Sequence, residues 1–298
     1  MEIQTFSIVT GTRACNARCP FCVSRMTGFS EIPKRRELNA RNFQKAAMLA
    51  ERAGTTTVLL TGKGEPTLYP NEITEYLTRL GDYSFPLLEL QTNALDIGRL
   101  ARDGSCPSKL TIDHLENWYD LGLTTIAIST VDFDSSANAK VYHEDYPPLE
   151  TTIELLHRLG FSIRLCVMMV RQGIDSPKRL QELISFCRSL KVEQLTARPI
   201  RRPDHSDSQQ ASDYVEKHGV TDQEVRLVNQ WVEDNGVHLM TLMHGAKIYD
   251  VLGQNVCIGD CLTVEPTSDK IRTLIFYSNG RITYDWQHDG AILLGGRC

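Results

Sequence analysis

A chain of 298 residues with 41% hydrophobic and 23% charged residues can bury a substantial core, as one α/β domain or as a domain with a small appendage. Its formal net charge of −5 gives no electrostatic reason to expect nucleic acid or an anionic membrane surface as partner. No run of about 18 apolar residues occurs, so no transmembrane helix is expected, and Met1-Glu2-Ile3-Gln4 lacks the basic stretch and apolar core of a secretory signal. Nine cysteines without a signal point to a reducing compartment, the cytoplasm by default, where thiols serve metals or catalysis.

In chain order, Ile3 to Thr10 reads as a first β-strand that runs into a cysteine-rich loop. Asn39 to Ala53 carries Phe43, Ala46, Ala47, Leu49 and Ala50 at helical spacing and stops at Gly54. Thr56 to Leu60 is a β-branched run, followed by the turn Thr61-Gly62-Lys63-Gly64-Glu65-Pro66. A helix over Asn71 to Leu80 leads into a strand from Leu87 to Thr92. Helices over Thr111–Leu121, Thr151–Leu159 and Pro177–Leu190 precede strands over Thr124–Thr130, Ser162–Val170 and Glu193–Ile200. Six strands separated by helices argue for βαβ units and a parallel sheet. With no dinucleotide fingerprint after the first strand, a barrel or partial barrel is more natural than a Rossmann sheet.

The polar stretch Arg201 to Gly219, with Pro203-Asp204, reads as a loop over one face of the sheet. A helix (Thr221 to Asp234) and a short apolar run (Val237 to Met243) follow. Ile271 to Tyr277 and Arg281 to Trp286 flank Ser278-Asn279-Gly280 as a β-hairpin. This pattern predicts a core over residues 1–220 and an extension over 221–298, with a small hairpin-containing subdomain from about residue 245.

The sharpest chemical signal is Cys15-Asn16-Ala17-Arg18-Cys19-Pro20-Phe21-Cys22. Thiolates spaced Cys-x₃-Cys-x₂-Cys can hold three corners of a [4Fe–4S] cube and leave the fourth iron open to chelation by a small molecule. Nine cysteines in 298 residues produce one specified triple by chance at roughly 0.01 per chain. The alternatives are buried free thiols or zinc, which usually wants four ligands and finds no fourth Cys or His nearby in sequence.

With this triad the chain resembles the radical S-adenosylmethionine (SAM) superfamily. Phe21 fills the aromatic position before the third cysteine. Gly64-Glu65-Pro66 follows the second strand where that family carries Gly-Gly-Glu-Pro, with Lys63 in place of the first glycine. Gln91-Thr92-Asn93-Ala94 looks like the family's Thr-Asn-Gly segment with alanine for glycine, and Ser129 matches a commonly polar position. The resemblance covers about residues 3 to 200 and implies a (β/α)₆ partial, TIM-like barrel. It also implies that Glu65 and its flanking backbone receive the amino group of SAM, and that Phe21, Gly64, Thr92, Asn93 and Ser129 line the cofactor site. In a parallel α/β barrel functional residues sit at the C-terminal ends of the strands, so these positions and Arg198 should converge on one mouth. The implied activity is reductive cleavage of SAM to a 5′-deoxyadenosyl radical that abstracts hydrogen from a substrate. A flavodoxin- or ferredoxin-like electron donor is implied with it.

Cys257-x₃-Cys261, the hairpin and Cys298 resemble the twitch or SPASM subdomains of that family, which hold an auxiliary [4Fe–4S] cluster. Such a second cluster would leave an open iron or take a fourth ligand such as Asp285 or His288; the alternative is three ordinary thiols. Cys106, Cys166 and Cys187 read as core, with Cys166 also a candidate hydrogen-atom donor inside the barrel. Arg164 and Arg198, on the fifth and sixth strands, are candidate ligand-facing residues, suited to a carboxylate or phosphate. An ion pair is the alternative for Arg164, and a solvated loop that for Arg201 and Arg202. The expected substrate is a small or nucleotide-like molecule, because peptide-modifying relatives often carry a leader-recognition domain before the first strand. Peptide modification is the runner-up and glycyl-radical activation a third option. A non-catalytic iron–sulfur or zinc protein is the reading from another class.

Overall fold

The computed structural model describes residues 2–27, 38–242, 244–259, 270–288 and 290–295. The six expected strands are present as β1 (Glu2–Val9), β2 (Thr57–Thr61), β3 (Leu87–Thr92), β4 (Thr125–Thr130), β5 (Ser162–Met169) and β6 (Gln194–Pro199). They pair in chain order, every pair parallel. Helices α2 (Ala40–Arg52), α3 (Pro70–Leu80), α5 (Ile112–Asp120), α7 (Leu149–Arg158) and α8 (Pro177–Ser189) occupy the intervening segments. No helix of the described residues is long and apolar enough to cross a membrane.

Alternation along the strands sets the two faces of the sheet. Phe6, Leu60, Leu90, Ile126 and Leu195 point outward and are fully buried beneath the helices. Ser7, Gln91, Arg164 and Thr196 point the other way and line a cavity. A slip of one residue would exchange these sets, so the burial of the outer row fixes the register. The sheet does not close, and its inner face is polar rather than filled with branched side chains.

The C-terminal segment joins this sheet at both edges. β7 (Gly236–Thr241), β8 (Lys247–Val251) and β9 (Gln254–Ile258) form an antiparallel meander whose last strand runs parallel to β6. β10 (Lys270–Tyr277) runs parallel to β1 at the opposite edge, with β11 (Ile282–Thr283) and β12 (Ile292–Leu294) beyond it. The predicted hairpin is the β10–β11 pair. Its first strand is tied to the core by Phe276, which meets Phe43 of α2 edge-on at 5.3 Å between ring centroids.

Several segments differ from the sequence reading. The expected loop over 201–219 contains α9 (Gln209–His218), started by Ser208, whose side chain accepts from the Ala211 amide. Between β3 and α5 lies the unpredicted α4 (Leu95–Asp103), which follows Ala94 in the left-handed region at φ 58°. That conformation favours glycine, the residue the resemblance places there. Two shorter unpredicted helices are α1 (Val23–Met26) and α6 (Ser135–Val141). The remaining helix, α10 (Asp222–Asn235), is the one expected over 221–234 and carries a capping box between Thr221 and Glu224.

Candidate active site

The cysteine loop leaves β1 and is held by backbone contact with the turn after β2. The Glu65 amide donates to the Ala14 carbonyl at 2.9 Å. A Cβ on Gly64 would lie 2.1 Å from that same oxygen and 2.7 Å from the Thr12 carbonyl, so only glycine lets the two segments touch. Thr12 and Tyr69 share a hydroxyl hydrogen bond at 2.6 Å, and Gly11 at φ 75° makes room for the Tyr69 ring.

Glu65 is 3% exposed and accepts four hydrogen bonds. Oε1 takes the Thr67 amide (3.0 Å), the Thr67 hydroxyl (2.7 Å) and the Thr92 hydroxyl (2.6 Å); Oε2 takes the Asn93 amide at 2.9 Å. Burial pushes the carboxyl pKa up, and the donors from Asn93, Thr92 and Thr67 pull it down. Glu65 therefore joins the ends of β2 and β3, and the Thr92 hydroxyl is committed to it rather than to the cavity. Asn93 continues the chain of contacts. Its Nδ2 donates to Asn16 Oδ1 at 2.8 Å and lies 3.8 Å from Cys15 Sγ. Asn16 donates in turn to Asp96 (3.0 Å), which is fully buried and paired with Arg99 at 3.1 Å. The sequence reading missed the partners on α4. The only sequence signals for them were Asn16 within the cysteine motif and the i, i+3 spacing of Asp96 and Arg99.

Cys15 is exposed, and Cys19 and Cys22 are half-buried. Burial, and then the Glu65 charge, push the Cys15 thiol up to about 11. Cys19 is raised further, by burial and then by the charges of Cys22 and Cys15. Three thiolates set together in this way oppose one another unless a cation offsets them. Phe21 is buried between the loop and α9, its ring 6.2 Å from that of Tyr214. Lys63 is also buried; its Nζ donates to the Thr27 carbonyl at 2.8 Å and lies 5.2 Å from the Trp286 ring centroid. Burial lowers its pKa to about 8, against a smaller upward influence from Cys22.

One cavity of about 2270 Å³ gathers most of the expected residues. The triad, Phe21, Gly64, Glu65, Thr92, Asn93, Ser129, Arg164, Cys166, Arg198 and Cys257 all line it. In-register pairing places Ser129, Cys166, Thr196 and Cys257 in one row across β4, β5, β6 and β9. Arg164 forms an ion pair with Glu89, which also accepts from Gln91 at 3.0 Å, so its charge is neutralised within the wall. Arg201 and Arg202 pair with Asp222 and Glu216. Asp285 Oδ1 is occupied by the Gln287 and His288 amides. Cys261 and Cys298 lie outside the described residues. Cys187 is fully buried, as expected of a core thiol, and Cys106 is half-buried against the core.

The family model described as the radical SAM superfamily matches residues 9–187. The chain belongs to the radical SAM superfamily. Among solved structures it is similar to SuiB from Streptococcus suis bound to the precursor peptide SuiA, at a TM-score of 0.62 and 16% identity over 95% of this chain and 59% of that one. It is similar to anSMEcpe with bound AdoMet, at 0.56 and 13% over 98% and 77%. A radical SAM methyltransferase from Sphaerobacter thermophilus matches at 0.50 and 15% over 86% and 67%. At these identities the likeness is one of fold. The chain spans about three-fifths of the length of SuiB. No curated protein matches it.

Membership implies a [4Fe–4S] cluster and SAM. The residues fit both. Among the described residues no three His, Cys, Asp or Glu side chains converge on a point that could hold a single metal ion. A cube asks for something else, since each thiolate takes a different iron. The thiols carried on one loop, with Gly64 lacking the Cβ that would press that loop away from the β2 turn, suit this demand.

Proposed function

We propose that Cys15, Cys19 and Cys22 hold the cluster and that the turn at Gly64-Glu65, with Asn93 and Ser129, seats SAM beside it. The substrate in this reading is a small or nucleotide-like molecule in the barrel lumen. When bound, the cluster and SAM supply reductive cleavage of the sulfonium carbon–sulfur bond and hydrogen abstraction from the substrate by the resulting 5′-deoxyadenosyl radical. The single observation that carries the reading is the backbone contact between Gly64-Glu65 and Ala14, which sets the cofactor turn directly against the metal loop.

The chain's own residues position and enclose. Glu65 fixes the ends of β2 and β3 through four hydrogen bonds, so that backbone groups of the turn face the mouth in one arrangement. Asn93 links β3 to the cysteine loop. Cys166, 9% exposed on the lumen wall, is placed to return a hydrogen atom to a substrate radical. A second cluster on Cys257, Cys261 and Cys298 belongs to the same proposal: Cys257 lines the lumen, where burial raises its thiol pKa and nearby arginine charge only partly opposes this. The electron donor is a flavodoxin- or ferredoxin-like protein.

The test is formation of 5′-deoxyadenosine from SAM by the anaerobically reconstituted protein with dithionite. Product should form with the wild type and vanish in Cys19→Ala; a wild type that binds no SAM would overturn the reading. A peptide substrate is the second reading. It is favoured by the likeness to SuiB, which was solved with its precursor peptide, over 95% of this chain.

A further inference from the structure

The cofactor turn carries a buried cation where the sequence resemblance places a glycine. Lys63 is 7% exposed and lines the same cavity as Cys15, Cys19 and Cys22. Its ammonium has neutral partners: the Thr27 carbonyl at 2.8 Å, the Thr27 hydroxyl at 3.3 Å and the Trp286 ring at 5.2 Å from its centroid. Among the described residues no carboxylate forms an ion pair with it. Asp207 acts on it only from beyond ion-pair distance and from an exposed position.

These contacts lead directly to the metal loop. Thr27 is where helix α1 ends, and Cys22 stands at that helix's N-cap. The Thr27 hydroxyl donates to the Val23 carbonyl at 3.0 Å. The Arg25 amide donates to the Cys22 carbonyl at 3.0 Å and the Cys22 amide to the Cys19 carbonyl at 3.3 Å. The last two cysteines and α1 are therefore one hydrogen-bonded unit, and Lys63 grips its far end. Two residues on, the Glu65 amide grips Ala14, just ahead of Cys15. Residues 63–65 thus hold the metal loop on both sides of the triad.

A buried ammonium among neutral partners keeps an electrostatic demand that only a nearby anion meets. Burial lowers the Lys63 pKa to about 8, with Cys22 and then Asp207 opposing, so the group stays cationic at neutral pH. Trp286 covers it and limits its screening by water. Thiolate ligation makes an iron–sulfur cluster anionic and reduction adds to that charge, so a fixed cation beside the ligands favours the reduced form. We propose that Lys63 is a positioning residue for the cluster on Cys15, Cys19 and Cys22: it clamps the helix that Cys22 caps, and its buried charge eases reduction of that cluster. The inference rests on the reading that these three cysteines hold the cluster.

The test is an EPR-monitored redox titration of the anaerobically reconstituted full chain without SAM, reading the signal that Cys19→Ala abolishes. Lys63→Met and Lys63→Gln should each lower the reduced-to-oxidised ratio at a given potential about tenfold, a midpoint about 59 mV more negative for one electron. Lys63→Arg, which keeps the charge, should stay within about threefold of wild type, and Lys45→Met, an exposed lysine on α2, should change nothing. Lys63→Gln keeps a donor toward Thr27, so a shift shared by Met and Gln and absent from Arg belongs to the charge. Iron content reads the clamp and should be lower in Lys63→Met than in Lys63→Arg; equal loading would remove the clamp. Wild-type potentials in both neutral variants would overturn the proposal, as would an equal shift in Lys63→Arg. Should both neutral variants load no iron, uptake by Lys63→Arg would uphold the need for the charge and its failure would overturn it. A wild type that takes up no cluster would overturn the cofactor reading instead.

Discussion

Replacing Gly64 by alanine puts a methyl group where there is no room for one. Its carbon would lie 2.1 Å from the Ala14 carbonyl oxygen and 2.7 Å from that of Thr12. A carbon–oxygen contact relaxes at about 3.3 Å, so the cysteine loop would have to withdraw by roughly 1 Å. Both oxygens belong to the backbone, and no side-chain rotation can relieve the clash. Withdrawal also breaks the hydrogen bond from the Glu65 amide to Ala14. Overpacking costs about 1–3 kcal/mol and the lost hydrogen bond about 1 kcal/mol, a total of roughly 2–4 kcal/mol. Urea unfolding of the cluster-free protein under reducing conditions measures this directly. Iron content after anaerobic reconstitution reports the consequence for the metal loop, which should load poorly. Gly295→Ala is the control, because no atom lies within 4 Å of its added Cβ; it should stay within about 0.5 kcal/mol of wild type. A Gly64→Ala protein that also stays within 0.5 kcal/mol and takes up wild-type iron would refute the contact as the device that seats the loop.

Glu89→Ala leaves the Arg164 guanidinium uncompensated in the lumen wall; it should lower stability by about 3–5 kcal/mol, with the double variant Glu89→Leu, Arg164→Met recovering most of the loss in denaturant titrations. His244 has its folded pKa lowered to about 4 from an ordinary 6.5, so on acidification the unfolded chain takes up its proton first. Stability should therefore fall as the pH drops from 6.5 toward 4, and His244→Gln should flatten that part of a urea-midpoint series; equal slopes would contradict the lowered pKa of the ring. The triple variant Cys15→Ala, Cys19→Ala, Cys22→Ala should retain about four irons with an EPR signal after reduction if Cys257, Cys261 and Cys298 hold a second cluster, and an iron-free protein would remove that cluster from the proposal.

The parts of the fold that were legible in the sequence are those whose cause is local. Each of the first six strands is a compact β-branched or alternating run bounded by turn residues, and each was placed within a residue or two. The cysteine loop and Gly64-Glu65 were legible because metal ligation and backbone approach demand particular residue types at fixed spacing. Helix α4 was hidden by Gly98, which reads as a helix breaker. In the structure a Cβ there would lie 2.5 Å from Pro147 and 2.7 Å from the Thr152 hydroxyl, so the glycine serves close packing against the start of α7. Helix α9 was hidden because it buries only Ala211, Ser212 and Val215, too narrow a stripe to stand out in a polar stretch.

The pairing of the C-terminal strands with the barrel was hidden for a different reason. Ile3 pairs with Ile271 and Thr196 with Cys257, partners far apart in the chain that no local pattern announces. The distinction matters for function. Six strands alone leave an open trough whose inner face carries Arg164, Cys166 and Arg198, polar groups that a packed core would not tolerate without partners. Strand β9 extends one wall and sets Cys257 level with Cys166; β10 extends the other and carries Arg272, which lines the same cavity. Beyond β11, Trp286 comes over Lys63 at the mouth. The cofactor end of the cavity is therefore built from residues close together in sequence. The end lined by Cys257 and Arg272 is built from strands that join the sheet only at its two edges. A motif can disclose the first kind of site, while the second exists only in the folded chain.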